Sequence, residues 1–145
     1  MFILKKVLTN ESWICNNINS SCKILDFGCG NGSLVHSLLK SGHDAYGCDI
    51  RQSLYSEIIH PELIAPRVRL STDNHLPFKN NTFDYCVSNQ VFEHVSDIEA
   101  MVSEIQRVLK KGSRFIFLFP TLEVFIEPHL KLPLIHRIIQ HEKLL

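Results

Sequence analysis

The sequence predicts an α/β fold, a mainly parallel sheet of about five strands with helices on both faces. Three observations predict it. Short apolar runs alternate with segments whose apolar residues recur at helical spacing. One of the runs, Lys23-Ile24-Leu25-Asp26-Phe27, stops at a cluster of glycines and is followed at once by a helical segment. A later run, Arg114 to Phe119, is almost continuously hydrophobic, as parallel strands covered on both faces are.

Lys23–Phe27 is read as the first strand. Ser33 to Lys40 follows as a helix, with Leu34, Val35, Leu38 and Leu39 on one side and Gly42 suited to the position after its end. Asp44 to Asp49 is the second strand. Ser53 to Ile59 is expected to be a short helix ending before Pro61. Val68 to Leu70 is a brief third strand. Leu76 to Asn81 is turn material, and Phe83 to Ser88 is a fourth strand. The next helix is expected to start at Ser96, since Ser96 and Glu99 have the spacing of a capping box. Its apolar stripe is Ile98, Met101, Val102, Ile105, Val108 and Leu109, and Lys110-Lys111-Gly112 reads as its end. Arg114 to Phe119 is the fifth strand, stopped by Pro120 and expected to be buried on both faces. Leu132 to Ile139 has a weaker helical pattern.

A length of 145 residues fits one domain. With a formal net charge of +0, bulk electrostatics do not favour a nucleic-acid partner. The five cysteines are odd in number and form no CxxC pair, so neither a zinc site nor a disulfide framework is expected, and no histidine pair has a metal-binding spacing. Reduced thiols, no signal peptide and no apolar stretch long enough to span a membrane point to a cytoplasmic protein.

A strand, a glycine-rich turn and a helix bring backbone close to a ligand at the helix start, as in Rossmann-like, doubly wound folds. Here the turn is Asp26-Phe27-Gly28-Cys29-Gly30-Asn31-Gly32. A dinucleotide fingerprint would place its third glycine at position 33, which is Ser33. Ile24 to Gly32 instead resembles the first signature motif of class I S-adenosylmethionine-dependent methyltransferases of the small-molecule type. Three further stretches are similar to that family in the same order: Asp49-Ile50 after the second strand, Asp73-Asn74-His75-Leu76-Pro77-Phe78 with Phe83-Asp84, and Tyr85 to Val95 with its Glu93-His94. The second of these has one residue fewer between Asp73 and Leu76 than the family pattern. The resemblance covers Cys22 to Phe119 and, more weakly, the stretch to His129.

The resemblance implies S-adenosyl-L-methionine as cofactor. Gly28, Cys29, Gly30 and Gly32 would form the loop around its methionine and ribose, with Asp26 near the ammonium. Asp49 would accept both ribose hydroxyls, a task that suits an acceptor-only carboxylate about 20 residues beyond the first glycine. Ile50 would pack on the adenine face, Asp73 would accept from the adenine amino group, and backbone at Asn74 or His75 would serve the ring nitrogens. Asn89 and Gln90, at the end of the fourth strand, would meet the methionine end. The reaction is methyl transfer to a small-molecule or lipid-like acceptor, since Asn89-Gln90-Val91-Phe92 lacks the Pro-Pro of amino-directed nucleic-acid enzymes. If that acceptor needs a base, His94 is the first candidate and Glu93 the second, a structural role for either being the alternative.

One domain over 1–145 is expected: an N-terminal helical segment (1–21), the cofactor-binding core (22–119) and a partial C-terminal segment (120–145). The family's sheet has further strands, including a final antiparallel hairpin that this sequence lacks. Three accounts follow: a truncated chain, a homodimer that covers the fifth strand's edge, or a reduced relative acting as a non-catalytic binding subunit. A nicotinamide-dependent oxidoreductase is the rival enzyme, disfavoured by the glycine spacing and by the absence of a Tyr-x-x-x-Lys pair.

Overall fold

β1 (Lys23–Phe27) is the central strand of a five-stranded sheet with the order β3-β2-β1-β4-β5. Its companions are β2 (Asp44–Asp49), β3 (Val68–Leu70), β4 (Phe83–Asn89) and β5 (Leu109–Leu118), and every pairing is parallel. The computed structural model describes residues 10–18, 21–50, 58–72 and 75–118. Among them the helices are α1 (Asn10–Asn17), α2 (Ser33–Lys40), the single turn α3 (Pro61–Ile64) and α4 (Ile98–Val108). No helix among the described residues is long and apolar enough to cross a membrane.

Alternation along β1 builds two cores. Ile24 joins Ile14 of α1, Leu34, Val35 and Leu38 of α2 and Ile64 of α3 on one face. Leu25 and Phe27 join Met101, Ile105 and Val108 of α4 on the other. Each fully buried aliphatic side chain contributes roughly 1.5–3 kcal/mol, so the two apolar helix stripes hold the layers together. The crossovers place the chain reversal between β1 and β4. In open parallel sheets, ligands bind beyond the carboxyl ends of the strands at that reversal.

The first three strands and α2 have the bounds their sequence patterns predict, and β4 runs one residue further, to Asn89. Four expectations need correction or fall outside the description. Most of the Ser53–Ile59 helix lies outside the described residues. Pro61, expected to follow a helix end, instead opens α3 at its first position, where the missing N–H costs nothing. Asp97, not Ser96, caps α4, its side chain accepting from Ala100 N–H at 2.9 Å. The Ser96–Glu99 capping box is therefore not the one used.

The fourth correction concerns β5. Lys110-Lys111-Gly112 does not finish the helix. α4 ends at Val108 and the strand begins at Leu109. Phe83 pairs with Leu109 and Tyr85 with Arg114, so the intervening residues form a bulge, with Gly112 at φ +80°. Lys110 Nζ donates to Asp84 Oδ1 at 2.7 Å. Nor is β5 buried on both faces: Phe115, Ile116 and Leu118 are half-buried and Phe117 is 49% exposed. β5 has a neighbour on one side only among the described residues, and local hydrophobicity does not reveal lateral cover. The sequence from Phe119 onward, including the expected Leu132–Ile139 helix, lies outside the description.

Candidate active site

A cleft of about 430 Å³ opens beyond the carboxyl ends of β1, β2 and β4. Its floor is Phe27 and Gly28, one side is Asp49, Ile50 and Ser71, and the other is Asn89 to Val91 with His94. Val95, Ser96 and Met101 close the α4 side.

The glycine turn is folded tightly on itself. Gly28 and Cys29 N–H both donate to Cys48 O at 2.8 and 3.0 Å, and Gly32 N–H donates to Cys29 O at 2.9 Å. Gly30 N–H donates to Asp49 Oδ2 at 3.0 Å, and Ser33 N–H to Asn31 Oδ1 at 3.2 Å. Gly28 has φ +77°, and a Cβ there would stand 2.3 Å from Val91 Cγ2. Gly32 has φ +82° and would put a Cβ 2.5 Å from Ile64 Cγ2. Both positions exclude side chains by conformation and by space.

Gly30, Gly32 and Cys29 do not themselves line the cleft, and Cys29 faces the core. Its side chain is buried in the core and turned toward Gly47 of β2, whose added Cβ would lie 2.6 Å from Cys29 Sγ. Burial first, then the Asp26 carboxyl, hold the thiol far above its ordinary range, so it is a protonated core residue and does not line the cleft.

Asp49 ends β2 inside the cleft and is 8% exposed. Its bond to Gly30 ties the acid to the turn. Ile50, next to it, is 59% exposed and lines the cleft. Ser71 follows β3, with its N–H on Asp49 O at 2.9 Å. Its hydroxyl is buried, lines the cleft and has no hydrogen-bond partner among the described residues. A buried polar atom without a partner is costly, and a polar ligand in the cleft would satisfy it.

Asp26 lies on the opposite side of β1 from Phe27, toward α1 and α2, and is not among the residues lining the cleft. Burial, then the nearby Glu11 and Asp49 carboxylates, push its carboxyl up to about 8. The start of α1 reaches the same region, because Asn10 Nδ2 donates to Asn89 Oδ1 at 2.8 Å.

Asn89 and Gln90 line the cleft as expected from their strand-end position. Gln90 is held at φ +58°, with its N–H on Leu118 O at 2.7 Å. A glutamine in the left-handed region is a strained backbone, of the kind found where a strand end is shaped for a ligand. His94, in the 3-10 turn Phe92–His94, faces the cleft, whereas Glu93 is exposed and does not line it. Asp73 and Asn74 lie outside the described residues. Ser71 and Met101 are cleft residues outside the sequence motifs, whereas Val91 lies within the Tyr85–Val95 stretch but has no role implied there.

The sheet order, the glycine turn and the strand-end acid define an α/β domain of the Rossmann-like class. A family model described as "Methyltransferase domain" matches residues 25–117, and the chain belongs to that family. Among curated relatives it is 32% identical to a demethylmenaquinone methyltransferase of Lactiplantibacillus plantarum over 110 residues, 70% of this chain and 46% of the relative. It is also 32% identical to a ubiquinone biosynthesis O-methyltransferase of Bartonella bacilliformis, over 65% of this chain and 40% of the relative. The chain thus spans less than half the length of these two relatives. A crystal structure of a SAM dependent methyltransferase from Aquifex aeolicus superposes with TM-score 0.68 at 20% identity, covering 80% of this chain and 66% of that one. Likeness at that identity establishes the fold.

Proposed function

We propose that this chain binds S-adenosylmethionine in the strand-end cleft and transfers its methyl group to a small, largely apolar acceptor. The observation that carries the reading is the convergence, in one cleft, of Gly28 from the glycine turn, the Asp49 carboxylate and the Ser71 hydroxyl, which has no hydrogen-bond partner among the described residues. These residues fit the cofactor. Gly28 presents bare backbone at the cleft, Gly30 and Gly32 shape the turn behind it, Asp49 would take the ribose hydroxyls, and Ile50 offers an apolar face to the base. Asp73 and Asn74 keep the adenine role that the resemblance gives them. Glu11 and the Asp26 carboxyl, which a bound cation would draw into its charged form, stand behind the turn on the ammonium side, and Asn89 and Gln90 would border the methionine end. When bound, the cofactor supplies an electrophilic methyl sulfonium, so the protein's task is positioning.

The acceptor would enter along Val91, Val95, Ser96 and Met101, a mostly apolar wall. One relative is named for demethylmenaquinone and the other for ubiquinone biosynthesis, both small molecules, which supports this acceptor class. His94, exposed at that wall, is the candidate base for an acceptor that must lose a proton. Glu93 points elsewhere and has only a supporting claim. The exposed edge of β5, with Phe117 at its surface, supports a homodimer as the arrangement of this chain. A single domain over 1–145 and a cytoplasmic location complete the reading.

The test is calorimetric titration with S-adenosylhomocysteine, with NADH alongside. Micromolar binding of the former alone is expected. Binding of NADH alone would overturn the reading. Transfer of labelled methyl to a panel of quinone precursors then identifies the acceptor.

A further inference from the structure

One side-chain pair on α4 is bonded to the irregular backbone that follows β3. Glu104 and Arg107 stand three residues apart on α4. Arg107 Nε and Nη2 grip Glu104 Oε1 and Oε2, both at 2.8 Å. Glu104 Oε2 also accepts Leu76 N–H at 2.9 Å, and Arg107 Nη2 donates to Leu76 O at 2.9 Å. Arg107 Nη1 adds Phe78 O and Asn80 Oδ1, both at 2.8 Å. His75 Nδ1 lies 3.1 Å from Glu104 Oε2. Both backbone polar groups of Leu76 are therefore satisfied by a single ion pair, while the Leu76 side chain is fully buried beneath it.

An exposed ion pair of this spacing contributes little to stability. This one is half-buried, with side chains 17% and 25% exposed, and its forked geometry is spent on a loop. That loop begins at Ser71, which lines the cleft and is tied to Asp49 O, and it turns back through the Thr72–His75 bridge. Its near end is thus fixed to β2 and its far end to α4. The same helix carries Met101, one turn earlier, into the cleft.

We propose that Glu104 and Arg107 are positioning residues that fix Leu76 and Phe78 and, through the Thr72–His75 bridge, set Ser71 against the base and sugar end of the cofactor, so that affinity as well as stability depends on them. The proposal rests on the cofactor reading given above. Neither residue touches the cleft, so both act through main chain.

Arg107→Lys is the decisive variant, because lysine keeps the charge but cannot span Leu76 O, Phe78 O and Glu104 at once. Glu104→Gln is the milder second variant, retaining an acceptor for Leu76 N–H. Each is titrated, well below its melting midpoint, with S-adenosylhomocysteine and with 5′-methylthioadenosine, which keeps the base and sugar but not the amino acid. Arg107→Lys is expected to weaken both ligands by the same factor, about 10-fold, since a misplaced support costs binding without removing a contact. Unchanged affinity for both ligands with a lowered melting midpoint would show a merely structural pair and overturn the proposal. A loss confined to S-adenosylhomocysteine would overturn it too, by placing the effect at the amino-acid end. Failure of the wild-type chain to bind either ligand would instead sink the cofactor reading, and the proposal with it.

Discussion

Replacing Gly28 by alanine tests the turn at its tightest point. Two separate costs can be worked from the structure. At φ +77° an alanine occupies the left-handed region, which costs about 1–2 kcal/mol. Its Cβ would also stand 2.3 Å from Val91 Cγ2 and 2.7 Å from Cγ1, an overlap that must be relieved by moving Val91, at about 1–3 kcal/mol. Gly28→Ala should therefore lose about 2–5 kcal/mol in urea unfolding at an unchanged slope. Val91→Ala alone removes part of a half-buried side chain and should cost about 1 kcal/mol. In the double variant the overlap disappears and only the conformational cost remains, so the cycle should show a coupling of about 1–3 kcal/mol. Equal urea midpoints for Gly28→Ala and wild type would refute the turn geometry. Simple additivity in the cycle would refute Val91 as the atom that Gly28 makes room for.

Asp49→Ala should weaken S-adenosylhomocysteine binding by about 1–3 kcal/mol, because two hydroxyls lose a charged acceptor, and unchanged affinity in calorimetry would remove Asp49 from the site. Asp26, pushed up to about 8 in the folded chain, holds its proton between pH 4 and 8 while the unfolded chain has already lost it. Stability should therefore fall as pH rises through that window, and Asp26→Asn should flatten the dependence seen in urea midpoints. A cation bound beside Asp26 favours its ionised form, so ligand binding at pH 7 should release protons, measurable by calorimetry in two buffers of different ionisation enthalpy. Asp97→Ala should cost about 1 kcal/mol and Ser96→Ala close to nothing, which separates the observed helix cap from the expected one by thermal denaturation. Phe117→Lys should shift the chain toward monomer in sedimentation, since it charges the exposed β5 edge.

What was legible in the sequence is what is local. The runs ending at Phe27 and Asp49 are short, apolar and cut off by turn residues, and their bounds emerge unchanged in the fold. The glycine turn was legible because only glycine suits three positive φ angles in five residues, at Gly28, Gly30 and Gly32. The α4 cap was ambiguous because Ser96 and Asp97 are both good capping residues. The choice falls to Asp97, whose backbone, at φ −119° and ψ 87°, is the non-helical one next to the helix. The exposure of β5, the inward turn of Cys29 and the orphaned hydroxyl of Ser71 were not legible. Each depends on what lies beside the residue in space. The Glu104–Arg107 pair is the strongest case. In the sequence it is an ordinary i,i+3 pair on a helix, and its function comes from Leu76, 28 residues away from Glu104.

The glycine pattern alone left a dinucleotide and a sulfonium cofactor both open, and the hydrogen bonding of the turn separates them. A pyrophosphate needs N–H groups aimed outward at a helix start. Here the N–H groups of Gly28, Cys29, Gly30, Gly32 and Ser33 are all engaged, four by main-chain or side-chain acceptors within the turn and its neighbouring strand and one by Asp49. The groups gathered around the turn are the carboxyls of Asp26, Asp49 and Glu11, and burial, helped by its two neighbours, keeps Asp26 protonated. An anion placed there would face the Asp49 and Glu11 carboxylates and find few donors. A ligand with a sulfonium and an ammonium would relieve the repulsion and draw Asp26 into its charged form. The charge of the whole chain is zero, so this preference is set entirely by the few groups at the strand ends. The proton released on binding at pH 7 is the direct measure of it.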